Sequence, residues 1–249
     1  MALVYDKLVL FGDSLTEFSI GKGTDFSFQA SLQDDYMRKL DVENRGFAGY
    51  NTRHARLLLP EILNANIGDS KIKLMTVYFG TNDSSRSFYV PIEEYQENIQ
   101  YLALEILKRD IKLVIIGPGL HDSELLKNTP GVEWDGPVNS NKQLKLYSEA
   151  AKKVAVKYQV PFVDLWNAFK QYGNWTEEQL LADEVSIGAL LLDGIHYTAE
   201  AYRVLYKEVK QTIESGHPDV APDVLPRKLP EWNDNDLNKV EQALIDLKK

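Results

Sequence analysis

Leu8-Val9-Leu10-Phe11-Gly12-Asp13-Ser14-Leu15-Thr16-Glu17 is the stretch that decides the reading of this chain. Its apolar start, Leu8 to Phe11, has the character of a buried strand. Gly12 allows a tight backbone path where a side chain would clash. Ser14 then falls at the carboxyl end of the strand, where α/β sheets present their chemistry. A serine in that place is flanked by backbone N–H groups and becomes a nucleophile when a base lies nearby. Taken alone, Gly-Asp-Ser reads as a strand-end turn with a capping serine. The partners have to come from the rest of the chain.

Outward from this stretch, strand and helix patterns alternate. A glycine-rich polar loop covers Ser19 to Asp25, and a helical face follows in Phe26, Ala30, Tyr36, Met37 and Leu40. Asp41 to Arg45 is a short, poor strand placed mainly by the alternation. Thr52 is positioned to cap a helix carrying Leu57, Leu58 and Leu59, which Pro60 kinks or restarts. Lys73 to Phe79 is an apolar strand cut off by Gly80-Thr81-Asn82-Asp83. Pro91 opens a long helix, Leu113 to Ile116 forms the clearest buried strand, and Pro161 to Leu165 reads as a fifth. His121 to Ser140 is irregular and long enough for a lid or binding loop. Thr176 and Gln179 have capping-box spacing, and Thr198 caps a helix to about Ile213. Five strands with intervening helices predict an α/β fold with a parallel sheet covered on both faces. One domain is expected over residues 1–215. Residues 216–249 form a proline-rich tail and an amphipathic helix, packed on that domain or on the partner subunit of a homodimer.

Composition narrows the function. The 249 residues carry a net charge of −9, which argues against a surface dedicated to nucleic acid or anionic membranes. There is no cysteine, so disulfides, thiolate metal sites and a cysteine nucleophile are excluded. No apolar run approaches the roughly 20 residues needed to span a bilayer. Asp6 and Lys7 interrupt the first apolar stretch, so the start does not read as a signal peptide, and a cytoplasmic protein is expected. Two Asn-x-Ser/Thr motifs occur, Asn82-Asp83-Ser84 and Asn174-Trp175-Thr176.

Of the four histidines, His54 and His217 read as surface residues, and His121 begins the long loop. His196 differs because Asp193 stands three residues before it across a glycine turn. That spacing can set a carboxylate on one ring nitrogen and leave the other for a serine. Oxyanion donors are available from three strand-end loops: the Ser14 N–H, the Gly49 N–H and the Asn82 side-chain amide.

These blocks carry a resemblance. Gly12-Asp13-Ser14, Gly46 to Gly49, Gly80-Thr81-Asn82-Asp83 and Asp193-x-x-His196 resemble the ordered blocks of the GDSL, or SGNH, hydrolases, from residue 8 to about 213. Arg45 to Tyr50, Leu59 to Leu63 and Ile116 to Leu120 look like the subgroup of isoamyl acetate-hydrolysing esterases. The resemblance implies a three-layer α/β/α sandwich and ester hydrolysis without metal or other cofactor. It carries over Ser14 as nucleophile, Asp193 and His196 as its partners, and Gly49 and Asn82 as oxyanion donors. Small acetate esters are the first expected substrates. Thioesters, lysophospholipids and acetylated sugars are rivals, as is a catalytically silent binding module on the same fold.

Overall fold

A computed structural model describes residues 4–21, 25–65, 70–131, 133, 136, 138–234 and 236–246. Parts of the expected 19–25 loop, the 121–140 loop and the end of the last helix lie outside these. In chain order the elements are β1 Asp6–Gly12, α1 Ser14–Glu17, α2 Phe28–Asp35, β2 Leu40–Gly46, α3 Thr52–Asn64 and β3 Ile72–Tyr78. After them come α4 Ile92–Leu107, β4 Lys112–Ile116, α5 Ser123–Lys127, α6 Asn141–Tyr158, β5 Phe162–Val163 and α7 Leu165–Tyr172. The chain closes with α8 Glu177–Leu181, α9 Ala199–Gly216 and α10 Leu237–Asp246.

The strands form one parallel sheet in the order β2-β1-β3-β4-β5. Alternation along the strands sends neighbouring residues to opposite faces. Leu8 and Leu10 of β1 join a core with Phe28 and Leu32 of α2, Phe169 of α7 and Tyr202 and Leu205 of α9. Val9 and Phe11 join the other core, with Leu59 of α3, Ile99 and Leu102 of α4 and Val154 of α6. Helices therefore cover both faces, as expected.

Local details differ from the sequence reading. β2 runs seven residues and pairs with β1 from Asp6↔Leu40 to Gly12↔Gly46. Its polar residues are tolerated because it is an edge strand. β5 holds only two paired residues, and Asp164 ends it by capping α7 through the Asn167 N–H. The cap of α3 is Asn51 rather than Thr52, with His54 completing a capping box, and Pro60 lies inside the helix without ending it. His217 is partly buried and its Nε2 meets the Leu113 carbonyl at 2.8 Å. The segment after α9 lies along the α2–β2 turn: Tyr36 donates to Val220 O (2.9 Å), and Arg38 donates to Pro230 O (2.9 Å).

The end of β2 is pressed against α1. A Cβ added at Gly46 would stand 2.0 Å from Glu17 N and 2.4 Å from Glu17 Cα, both backbone atoms that cannot swing away. Gly46→Ala is expected to lower stability by about 1–3 kcal/mol, the usual cost of forcing extra volume into a packed site. Urea denaturation of the variant beside the wild type checks this.

Candidate active site

The order 2-1-3-4-5 reverses between β1 and β3, and ligands of open parallel sheets bind outside the carboxyl ends of the strands at such a reversal. Ser14 follows β1 there and Asn82 follows β3. Asp13 caps the short helix α1, its side chain accepting from Leu15 N at 2.9 Å. This sets Ser14 at the first helical position, where its N–H has no partner inside the helix.

The turn Asp193-Gly194-Ile195-His196 is held tightly. Asp193 Oδ1 accepts from the N–H groups of Ile195 (3.0 Å) and His196 (2.8 Å). Gly194 has φ +90, and its carbonyl accepts from Asp122 N at 3.0 Å. Asp193 Oδ2 lies 2.6 Å from His196 Nδ1, and His196 Nε2 lies 3.3 Å from Ser14 Oγ. Burial alone would raise the Asp193 carboxyl. The hydrogen bonds it accepts from the imidazole and from the two backbone N–H groups outweigh burial and bring it down to about 2. A carboxylate fixed on Nδ1 leaves Nε2 free to accept the serine proton. The Phe18 ring stands 5.2 Å from the imidazole, centroid to centroid, as part of the wall.

Gly49 occupies a turn closed by Tyr50 N donating to Phe47 O (3.1 Å). Its φ of +78 is what the third position of a type II turn requires. Among the described residues its N–H has no acceptor, and a Cβ built there would meet nothing within 4 Å. The Asn82 amide donates to Tyr50 O at 2.7 Å, and among the described residues the second hydrogen on that nitrogen has no acceptor. Asp193, His196 and Ser14 thus meet, and Gly49 and Asn82 lie on loops that follow β2 and β3 at the same end of the sheet. A small cavity of about 100 Å³ adjoins Asn82, with Phe88, Leu120, His121, Val138 and Ile195 among its lining. Among the described residues no group of three or more His, Asp and Glu side chains could hold a metal ion.

Two buried carboxyls beneath the site were not singled out by sequence reasoning, although both stand in motifs quoted above. Asp13 is 1% exposed and Asp83 is fully buried, and Oδ2 of each has no hydrogen-bond partner among the described residues. Asp83 Oδ1 accepts from the Thr52 N–H (2.9 Å) and from the Thr52 hydroxyl. Asn98 donates to that hydroxyl at 3.0 Å, and Arg56 donates to Asn98 Oδ1 at 3.0 Å. Burial pushes the Asp13 carboxyl up to about 7, aided by the charge of Asp83 and opposed by the Leu15 N–H. Burial likewise lifts Asp83 to about 6, against its bonds to Thr52. His121 is 3% exposed, and burial lowers its pKa.

The chain resembles known proteins along most of its length. Residues 10–204 match the family model described as GDSL-like lipase/acylhydrolase. The chain is 36% identical to the isoamyl acetate-hydrolyzing esterase of Saccharomyces cerevisiae, over 92% of this chain and 95% of that one. It is 29% identical to the human isoamyl acetate-hydrolyzing esterase 1 homolog, over 98% of this chain and 94% of that one. Among solved structures, an acetylxylan esterase of Geobacillus stearothermophilus superposes with a TM-score of 0.62 at 18% identity, covering 86% of this chain and 96% of that one. At that identity the likeness speaks for the fold.

The raised Asp13 carboxyl has a consequence for stability. A carboxyl held above its unfolded value of 3.8 gives its full contribution below that value, and loses it as pH rises toward about 7. Asp13→Asn cannot ionise and escapes this loss. Urea midpoints at pH 5 and pH 8 should differ less in Asp13→Asn than in the wild type. An unchanged difference would show that Asp13 ionises freely.

Proposed function

This chain belongs to the GDSL-like lipase/acylhydrolase family, and on that premise we propose that it hydrolyses carboxylic esters through an acyl-enzyme formed on Ser14. His196 Nε2 takes the Ser14 proton as Oγ attacks the ester carbonyl. The Ser14 N–H, the Gly49 N–H and the Asn82 amide receive the developing oxyanion. As the tetrahedral centre collapses, His196 passes the proton to the leaving alcohol. Water, deprotonated by the same nitrogen, then releases the acid and restores Ser14. Asp193 orients the imidazole and stabilises its charged form. The observation that carries this reading is the continuous Asp193–His196–Ser14 contact, 2.6 Å and then 3.3 Å, together with a Gly49 N–H that has no acceptor among the described residues.

Size supports a short substrate chain. A cavity of about 100 Å³ has room for only a small group. Its apolar lining of Phe88, Leu120, Val138 and Ile195 suits an alkyl group. Acetate esters of small alcohols, the type named for the yeast relative, are the substrates we favour. The partner is then a small neutral ester. We place the enzyme in the cytosol, because the chain has no cysteine and Asn82 falls within a glycosylation acceptor motif that a glycan would block.

Ser14→Ala is expected to fold normally and to lower kcat by about 10⁴–10⁶ with p-nitrophenyl acetate. Near-normal turnover would overturn the mechanism. Asn82→Ala should lower kcat by about 10²–10³ with KM little changed, since its donor matters as charge develops. A rise in KM alone would make Asn82 a ground-state contact.

Chain length gives a separate test. Acetate and butyrate esters should exceed octanoate in kcat/KM by roughly tenfold or more, and Phe88→Ala should narrow that ratio. A wild type that favours octanoate would exclude this cavity as the chain pocket.

A further inference from the structure

The Gly49 N–H has no acceptor among the described residues, and the turn that carries it needs fixing from outside. Glycine at the third position of a turn can reverse its central peptide with little steric cost. Such a reversal swaps the Gly49 N–H for the Ala48 carbonyl and would present an acceptor to the oxyanion. The bond from Tyr50 N to Phe47 O survives either orientation, as does a bond to the Ala48 N–H, so an outside strut acts on where the turn stands rather than on which way its central peptide faces.

The approach to the turn is well fixed. Asn44 Nδ2 donates to Thr16 O (2.8 Å), Asn44 Oδ1 accepts from Gly46 N (2.8 Å), and Phe47 N donates to Gly12 O (3.0 Å). Beyond Phe47 the turn projects from the sheet. There the partly buried Glu17 reaches across from α1, and its Oε2 accepts the Ala48 N–H at 2.6 Å. An ionised carboxylate accepting a backbone N–H makes a strong, charge-assisted bond. Glu17 belongs to the same short helix as Ser14, three residues on.

We propose that Glu17 is a positioning residue for the oxyanion hole. Its bond to the Ala48 N–H ties the turn that carries Gly49 to the helix that carries Ser14, and so fixes how far the two stand apart. Helix α1 then carries the nucleophile at one end and the strut for its oxyanion donor at the other. This rests on the reading of Ser14 and Gly49 given above. The Glu17 side chain bonds to the Ala48 N–H rather than to Ser14 or His196, so its effect belongs to kcat and to transition-state binding rather than to KM.

The test compares Glu17→Ala, Glu17→Asp and Glu17→Gln with the wild type, with Ser14→Ala as a control. p-Nitrophenyl acetate turnover is measured well below each variant's thermal midpoint. Displacing a catalytic donor by about 1 Å costs up to ~10²-fold, so Glu17→Ala should lower kcat by about 10- to 100-fold with KM within about twofold. Its inhibition constant for a trifluoromethyl ketone, which forms a tetrahedral adduct on serine, should rise by a similar factor. Glu17→Asp keeps the charge but is one methylene short and should fall likewise, which keeps the test alive if the alanine variant does not fold. Glu17→Gln retains an acceptor oxygen at the same reach and should recover most of kcat. A drop in thermal midpoint with kcat and ketone affinity unchanged would overturn the proposal, as would a Gln variant no better than Ala. Normal turnover by Ser14→Ala would instead overturn the underlying mechanism.

Discussion

The site depends on the approach of two backbones at less than side-chain distance. The end of β2 touches helix α1 so closely that the side chain of Gly46 must be absent. This contact brings the loop from Gly46 to Gly49 against the helix that begins at Ser14. A similar economy holds at Gly12, where a Cβ would stand 2.6 Å from the Tyr78 carbonyl. Strands β1, β2 and β3 can then deliver three loops to one point, and the reversal of strand order leaves the gap between them open for a ligand.

Around that point the loops are stitched to one another rather than to the sheet alone. Asn82 reaches Tyr50 O, Asp83 holds both groups of Thr52, and Asn51 donates to Phe88 O at 2.9 Å. Each bond joins the segment after β2 to the segment after β3. Two of the residues involved, Thr52 and Asp83, are fully buried, where an unmet polar group is costly. Rigidity at the site therefore comes from polar contacts placed inside the protein, at the expense of carboxyls that ionise reluctantly.

Much of the fold was legible because central strands are apolar on both faces. Leu8–Phe11 and Leu113–Ile116 could hardly be read otherwise. β2 was harder, since an edge strand carries Glu43, Asn44 and Arg45 without penalty. α7 was hidden because Leu165, read as the end of a strand, begins a helix capped by Asp164. The residues brought together at the site were legible through motif order, and Asp193 and His196 through their spacing. Glu17 was not. Its partner Ala48 lies 31 positions away and offers only a backbone N–H, which leaves no mark in the sequence. The cavity beside Asn82 was equally silent, being formed by Phe88, Val138 and Ile195 from three separate loops.

The contacts within the Asp193–His196–Ser14 line differ greatly in the chain they enclose. Asp193 and His196 are three positions apart, and the turn that joins them is a local structure. His196 and Ser14 are 182 positions apart. Bringing such distant segments together costs loop-closure entropy, which is recovered only when intervening contacts form. Ser14 is itself immobilised by β1, which needs β2 and β3 on its two sides. The carboxylate–imidazole pair can therefore form early, in a chain still largely open. The serine contact arises only when the first and last thirds of the molecule have met, so the closing of the Ser14–His196 contact marks the completion of folding.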